Sequence, residues 1–240
     1  MFSSRRFATT QWSLVLAAAK RDSAEADEAL ARLCSLYWYP VFSFVRRQSR
    51  SAEEAEDLTQ GFFARLIEKG DIGDADRSRG RFRTFLLTAC QHFVLNERDR
   101  MLTLKRGGGH PALSIDVVAA ESRYQRALAH NETPERLYDR QWCLTLLVSV
   151  LDDLRAEYLA AGNEAQFERL RAFLTMPDDA GSYADAAREL DTTLSAIKSA
   201  VHRLRSRYRE ALLRRVADTV ESPQDVDDEM HYLLETLRNH

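Results

Sequence analysis

Between Thr193 and Arg215 the chain reads "TLSAIKSAVHRLRSRYREALLRR". Seven of these residues are cations (Lys198, Arg203, Arg205, Arg207, Arg209, Arg214 and Arg215), against the single acid Glu210. Guanidinium and ammonium groups at this density suit phosphates, and a bidentate arginine also reads a guanine edge. The apolar residues of the stretch fall in register. Leu194, Ile197, Val201, Leu204 and Tyr208 recur at three, four, three and four, a stripe that seats one face of a helix on a core. Lys198, Ser199, His202, Arg203, Arg205 and Arg207 are left on the outer faces. There, donors near the N-terminal half reach base edges and more distal arginines reach phosphates. An ordinary solvated basic helix, or one paired with an acidic partner, is the competing use of these charges.

What precedes this helix favours the first use. In "SYADAARELDTT", Tyr183, Ala186, Ala187 and Leu190 make the apolar face of a short helix, and the two alanines let a second helix cross closely. Asp191 falls where the chain must turn sharply, and aspartate tolerates a left-handed backbone better than most residues. Thr193 or Ser195 can then cap the basic helix. Together these are the parts of a helix-turn-helix.

Two further groups could do chemistry. Arg81 and Arg83 flank Phe82; Phe85, His92 and Phe93 follow, and Arg98, Arg100, Lys105 and Arg106 close the segment. Cations interleaved with aromatics suit single-stranded nucleic acid, with phosphates on the cations and unstacked bases on the rings. In the blander reading Phe82, Phe85, Leu86, Ala89 and Phe93 are core, and only the cations, His92 and Asn96 meet a ligand. The other group is Glu53, Glu54, Glu56 and Asp57, an acidic face beside the inward Leu58, Phe62 and Leu66, with Gln60 as a neutral hydrogen-bonding group. It fits a partner's arginines, or simply a helix start favoured by its dipole.

Catalysis has no footing in the sequence. There is no Ser/His/Asp, Cys/His or phosphate-loop constellation, and the glycines of "KRGGGH" lack the Gly-Lys-Ser/Thr of a P-loop. The six histidines show no ligand spacing, so neither a metal nor another cofactor is expected. Cys34, Cys90 and Cys143 lie far apart among apolar neighbours and read as reduced thiols of a cytoplasmic protein.

The elements that must position these groups are helical. The 240 residues are 45% hydrophobic and 30% charged, with a net charge of −3, the composition of a globular protein. No apolar run approaches the roughly 18 residues of a membrane span, and "WSLVLAAA" reads as part of a first helix at about 10–20 rather than a signal peptide. A second helix is expected over 24–48, kinked or interrupted at Pro40. A third is capped by Ser51 with Glu54 and ends at Gly70. A fourth covers 81–105. "GGG" opens a linker with some helix in its middle, and Pro134 suits the first turn of the next helix. Helices at 136–162, 164–176 and 182–190 then lead to the basic one. Residues 218–240 hold seven acids against Arg238. This tail can cover the basic helix, its charge being opposite, or pack as a plain terminal helix through Val226, Met230, Leu233, Leu234 and Leu237.

The residues just quoted resemble those of the extracytoplasmic-function (ECF) sigma factors, the small two-domain sigma-70 family subunits of bacterial RNA polymerase. "SYADAARELDTTLSAIKSAVHRLRSRYREAL" is similar to their region-four helix-turn-helix. "ALARLCSLYWYPVFSFVRR", "AEEAEDLTQGFFARLIEK" and "GRFRTFLLTACQHFVLNERDR" resemble successive pieces of region two, in order. The resemblance implies an all-α protein of two small helical domains: region two over 1–106, a linker over 107–134, region four over 135–217, and an acidic C-terminal helix in 218–240. It implies RNA polymerase core and promoter DNA as partners, a monomer when free, and no membrane association or catalysis. Lys198, Ser199, His202, Arg203, Arg205 and Arg207 would read the minus-thirty-five element. Arg81, Arg83, His92, Asn96, Arg98 and Arg100 would open and hold the minus-ten element, with His92 standing where relatives tend to have asparagine. Glu53, Glu54, Glu56, Asp57 and Gln60 would contact core polymerase. Gly61 departs from the acid often found after the glutamine. Regulation by an anti-sigma factor, or by a Ser/Thr kinase acting on Thr59, is also implied, although the residues alone favour Thr59 as a half-buried helix position. A helix-turn-helix regulator acting without polymerase, as a dimer on a palindrome, is the rival reading.

Overall fold

The computed structural model describes residues 24–69, 81–103, 117–127, 132–174, 180–217, 219–220 and 222–238, with Val15, Ala18 and Ile72 described individually. The expected helix at 10–20, the glycine cluster, Lys105, Arg106, Asp218 and Glu221 otherwise lie outside these residues. The secondary structure is all helical among the described residues, as the absence of a period of two requires.

Helix α1, Ala24–Arg46, opens on Glu25 and Asp27 and closes on Arg46, each sign matched to the helix dipole. It runs through Pro40 without the expected interruption. Every residue from Leu36 to Val45 is buried, and this wrapping offsets the roughly 3 kcal/mol that an interior proline costs. Helix α2, Ala52–Lys69, begins as its capping pair requires. The Glu54 N–H donates to Ser51 Oγ (3.1 Å), and the Arg50 N–H donates to the Glu54 carboxylate (2.7 Å). Ala55, Leu58, Phe62 and Leu66 form its buried rail.

Helix α3, Phe82–Thr103, packs against α2 at close range through Gly61. A β-carbon at Gly61 would sit 3.2 Å from Cζ of Phe93. The glycine therefore has a packing reason, beyond the charge it fails to carry. Gly61→Glu is expected to lose about 2–4 kcal/mol by burying a carboxylate against this ring and overfilling the contact. A fall in the urea midpoint checks it. An unchanged midpoint would mean the side chain escapes to solvent.

The segment expected as a linker contains α4, Val117–Ala127, which docks on α1. The Arg46 guanidinium donates to both oxygens of Glu121 (2.9 and 3.0 Å) and lies over the Tyr124 ring, and Arg123 sits 3.8 Å from the Tyr39 ring centroid. The helix also packs against α2, and its Ala120 and Tyr124 are buried.

Helix α5, Pro134–Ala160, crosses the expected domain boundary. The chain divides into Met1–Thr145 with Val216–His240, and Leu146–Arg215 apart. The expected boundary at 134/135 therefore moves into α5, because Leu137, Tyr138 and Trp142 are core residues of the first unit. The C-terminal helix α9, Val226–Arg238, belongs to that unit as well. Its Leu233 is buried while Leu234 is exposed, which corrects the expected apolar face at that position.

The second unit is built on α6 (Glu164–Leu170), a 3-10 turn (Arg171–Leu174), α7 (Ala180–Glu189) and α8 (Leu194–Ala217). Val150, Leu154, Phe167, Leu170, Phe173, Tyr183, Ile197, Val201 and Leu204 form its core. Phe173 stacks on Tyr183 with ring centroids 4.5 Å apart.

The three thiols are free. Burial pushes Cys90 and Cys143 up to about 12 and Cys34 to about 11, so none offers a thiolate nucleophile near neutral pH.

Candidate nucleic-acid interface

The turn between α7 and α8 is closed by residues suited to it. The Thr192 N–H donates to the Ala187 carbonyl (2.9 Å), and Asp191 takes φ of 47°. This is the left-handed end of a helix, with aspartate where glycine is usual. The Thr193 hydroxyl, rather than Ser195, then caps α8 by accepting from the Ala196 N–H at 3.1 Å. Asp191→Gly is expected to stabilise the fold by about 0.5–1 kcal/mol, and Asp191→Val to cost about 1–2 kcal/mol. Denaturant midpoints of the two variants, moving in opposite directions, would verify the strain.

Ala186 and Ala187 are buried at the crossing, as are Ile197, Val201 and Leu204 on α8. Leu194, expected in that stripe, is instead exposed, because it stands at the first helical position, one turn before the stripe meets the core. Lys198, Ser199, His202 and Arg203 are exposed and share the outward face. Arg205 and Arg207 do not join them. Arg205 Nε and Nη2 donate to the Phe173 carbonyl (3.1 and 2.8 Å), satisfying an acceptor at the end of the 3-10 turn. Arg207 pairs with Glu157 and lies over the Tyr158 ring. Arg205 is thereby turned to the fold of its own unit, whereas Arg207 stays exposed in a surface pair.

On α3 the predicted group also divides. His92 and Asn96 are exposed. They line a cleft of about 300 Å³ together with Phe62, Arg65, Phe85 and Phe93. Arg65 was not foreseen. It stands on α2, a helix noted for its acids, one turn after Phe62, and its guanidinium lies over the Phe93 ring at 5.9 Å. Phe82 and Leu86 are core, whereas Phe85 and Ala89 are half-buried on the cleft wall. Arg100 is exposed and paired with Glu97, and Arg98 donates to the Gln48 carbonyl at 2.8 Å.

Arg83 is closed off by its own chain. It is 4% exposed, pairs with Glu229 of α9, and lies 3.6 Å from Asp139. Its ring neighbours are Trp142 at 4.5 Å and Tyr232 at 4.7 Å. Desolvation lowers the pKa of this guanidinium, with Asp139 opposing that shift. Arg81 is half-buried and forms an ion pair with one of the same Glu229 oxygens at 2.9 Å. The acidic tail thus meets these two arginines within its own unit.

Along α2, Glu53 and Asp57 are exposed and Glu54 is committed to the cap. Gln60 is buried and donates to Glu56 at 2.8 Å, so it faces its own helix rather than a partner. Thr59 is fully buried, and its hydroxyl donates to the Ala55 carbonyl at 2.6 Å. A phosphate of nearly two charges has no room or partner there, so the kinase-site expectation at Thr59 is withdrawn.

The chain is 25% identical over 182 residues to a protein of Mycolicibacterium smegmatis described as ECF RNA polymerase sigma factor SigE, covering 76% of this chain and 61% of that one. The chain therefore spans less than two thirds of the relative's length. No family model and no solved structure matches. The relative supports the resemblance drawn from the sequence.

Proposed function

We propose that this distant relative of the ECF sigma factors works as one, binding core RNA polymerase in the cytoplasm and directing initiation at particular promoters. The observation that carries the reading is the outward row Lys198, Ser199, His202 and Arg203, held on α8 behind a buried stripe and a capped turn. Such a row enters a major groove with its N-terminal residues toward the bases. The cleft of Arg65, Phe85, His92 and Asn96 supplies ring faces, donors and a cation, which suit an unstacked base and its phosphate. Glu53 and Asp57 remain as acids for a polymerase contact, with the relative's name supporting that partner. No catalytic residue, metal or cofactor enters this function.

Co-sedimentation with purified core polymerase across a range of salt tests it. Formation of a complex that weakens as salt rises is expected. A chain that never binds core, yet dimerises on a palindrome, would be the regulator acting without polymerase.

A further inference from the structure

Helix α9 brings two chemistries to the start of α3. The Glu229 carboxylate is fully buried, taking Arg83 on both oxygens and Arg81 on one of them. Three residues later, and so on the same helix face, the Tyr232 ring covers the guanidinium planes of Arg83 and Arg81 at 4.7 and 5.6 Å. The Tyr232 hydroxyl donates to Asp139 at 2.5 Å. On the far side, the Trp142 ring faces Arg83. An anion and an aromatic ring, presented together to two arginines at a helix N-terminus, are also what one nucleotide of a single strand presents: a phosphate and a base.

We propose that Arg81 and Arg83, backed by the core ring of Trp142, form a single-stranded DNA site that the chain fills with its own Glu229 and Tyr232, so that α9 is a latch displaced when a strand binds. The proposal deepens the function above and rests on it for the identity of the strand. Exchange of one anion for another keeps both guanidiniums paired, which is why displacement is accessible where simple loss of Glu229 would strand a buried charge. The cost of lifting α9 reduces the apparent affinity by the fraction of molecules that are open. A free chain therefore binds single strands weakly.

The test uses the full-length chain and two charge-matched variants, Glu229→Gln and Asp228→Asn, titrated with a fluorescent single-stranded oligothymidine. Asp228 is exposed on the same helix, so its variant reports the general loss of one negative charge. Glu229→Gln is expected to bind about tenfold tighter than wild type, and Asp228→Asn within about twofold. Hydrogen exchange of the wild-type chain is measured in parallel, and amides of 226–238 are expected to exchange faster when the oligonucleotide is bound. If Glu229→Gln does not fold, the exchange arm decides alone. Equal affinities in a folded variant, unchanged or slower exchange of α9 on binding, or no binding by either protein would overturn the latch. Transcription with core polymerase, run on the same preparations, separates the two ideas. A chain that transcribes with none of these changes keeps the proposed function and loses the latch. One that shows the changes and never transcribes keeps the latch and loses the proposed function.

Discussion

Arg83→Met lowers folding stability by about 3–5 kcal/mol, the usual cost of removing one partner of a buried ion pair. Glu229 has no exposure to water. Without Arg83 its carboxylate keeps only the partly exposed Arg81, and the rings of Trp142 and Tyr232 lose the cation between them. The measurement is urea unfolding, read as a fall in midpoint at unchanged slope. The double variant Arg83→Met, Glu229→Leu is expected to recover most of the loss, since apolar groups of similar size often replace a buried pair at little cost. Arg81→Ala, at a half-exposed position, is expected to cost about 1 kcal/mol or less. A double variant as unstable as the single one would show that packing around the pair, rather than the stranded charge, sets the penalty.

The second large effect separates two neighbouring arginines on α8. Arg203→Ala is expected to weaken binding to the correct duplex site by about 1–3 kcal/mol, with no change in unfolding midpoint, if the side chain makes a bidentate base contact. Loss that is equal on unrelated sequences would place it on phosphate. Arg205→Ala should behave oppositely. It removes both donors from the Phe173 carbonyl, so about 1–3 kcal/mol of stability goes first, and sequence preference is retained at temperatures where the variant is folded. Fluorescence anisotropy on cognate and scrambled duplexes, with thermal unfolding beside it, distinguishes the two. Equal stability losses in both variants would contradict the assignment.

The local rules were legible in the chain because each rests on neighbours in sequence. The cap at Ser51 and Glu54, the left-handed Asp191, the capped start of α8 and the stripe of Ile197, Val201 and Leu204 are all satisfied within a few residues. Long-range pairing was not. Arg205 follows Lys198 by seven residues, on the same side of the helix, and nothing nearby in the sequence distinguishes a cation that bonds the Phe173 carbonyl from one that faces water only. Arg83 reads from the sequence as an open cation, and only the fold shows that Glu229, 146 residues away, covers it. The acidic tail was read as a cover for the basic helix or as a plain terminal helix, and total charge could not point to Arg81 and Arg83. Gly61 was read as a missing acid, while the close approach of Phe93 shows a steric reason that no single helix carries in its own pattern. The boundary inside α5 escaped for the same reason: a continuous 27-residue helix serves two cores and bears no break to mark the change.

Run-off transcription with purified core polymerase and a library of randomised promoters tests the central claim most directly. The chain is expected to enrich promoters with two conserved elements, and the upstream element should lose its definition when Lys198 or Arg203 is replaced by alanine. Transcription no greater than that of core enzyme alone, with no sequence enriched, would contradict it.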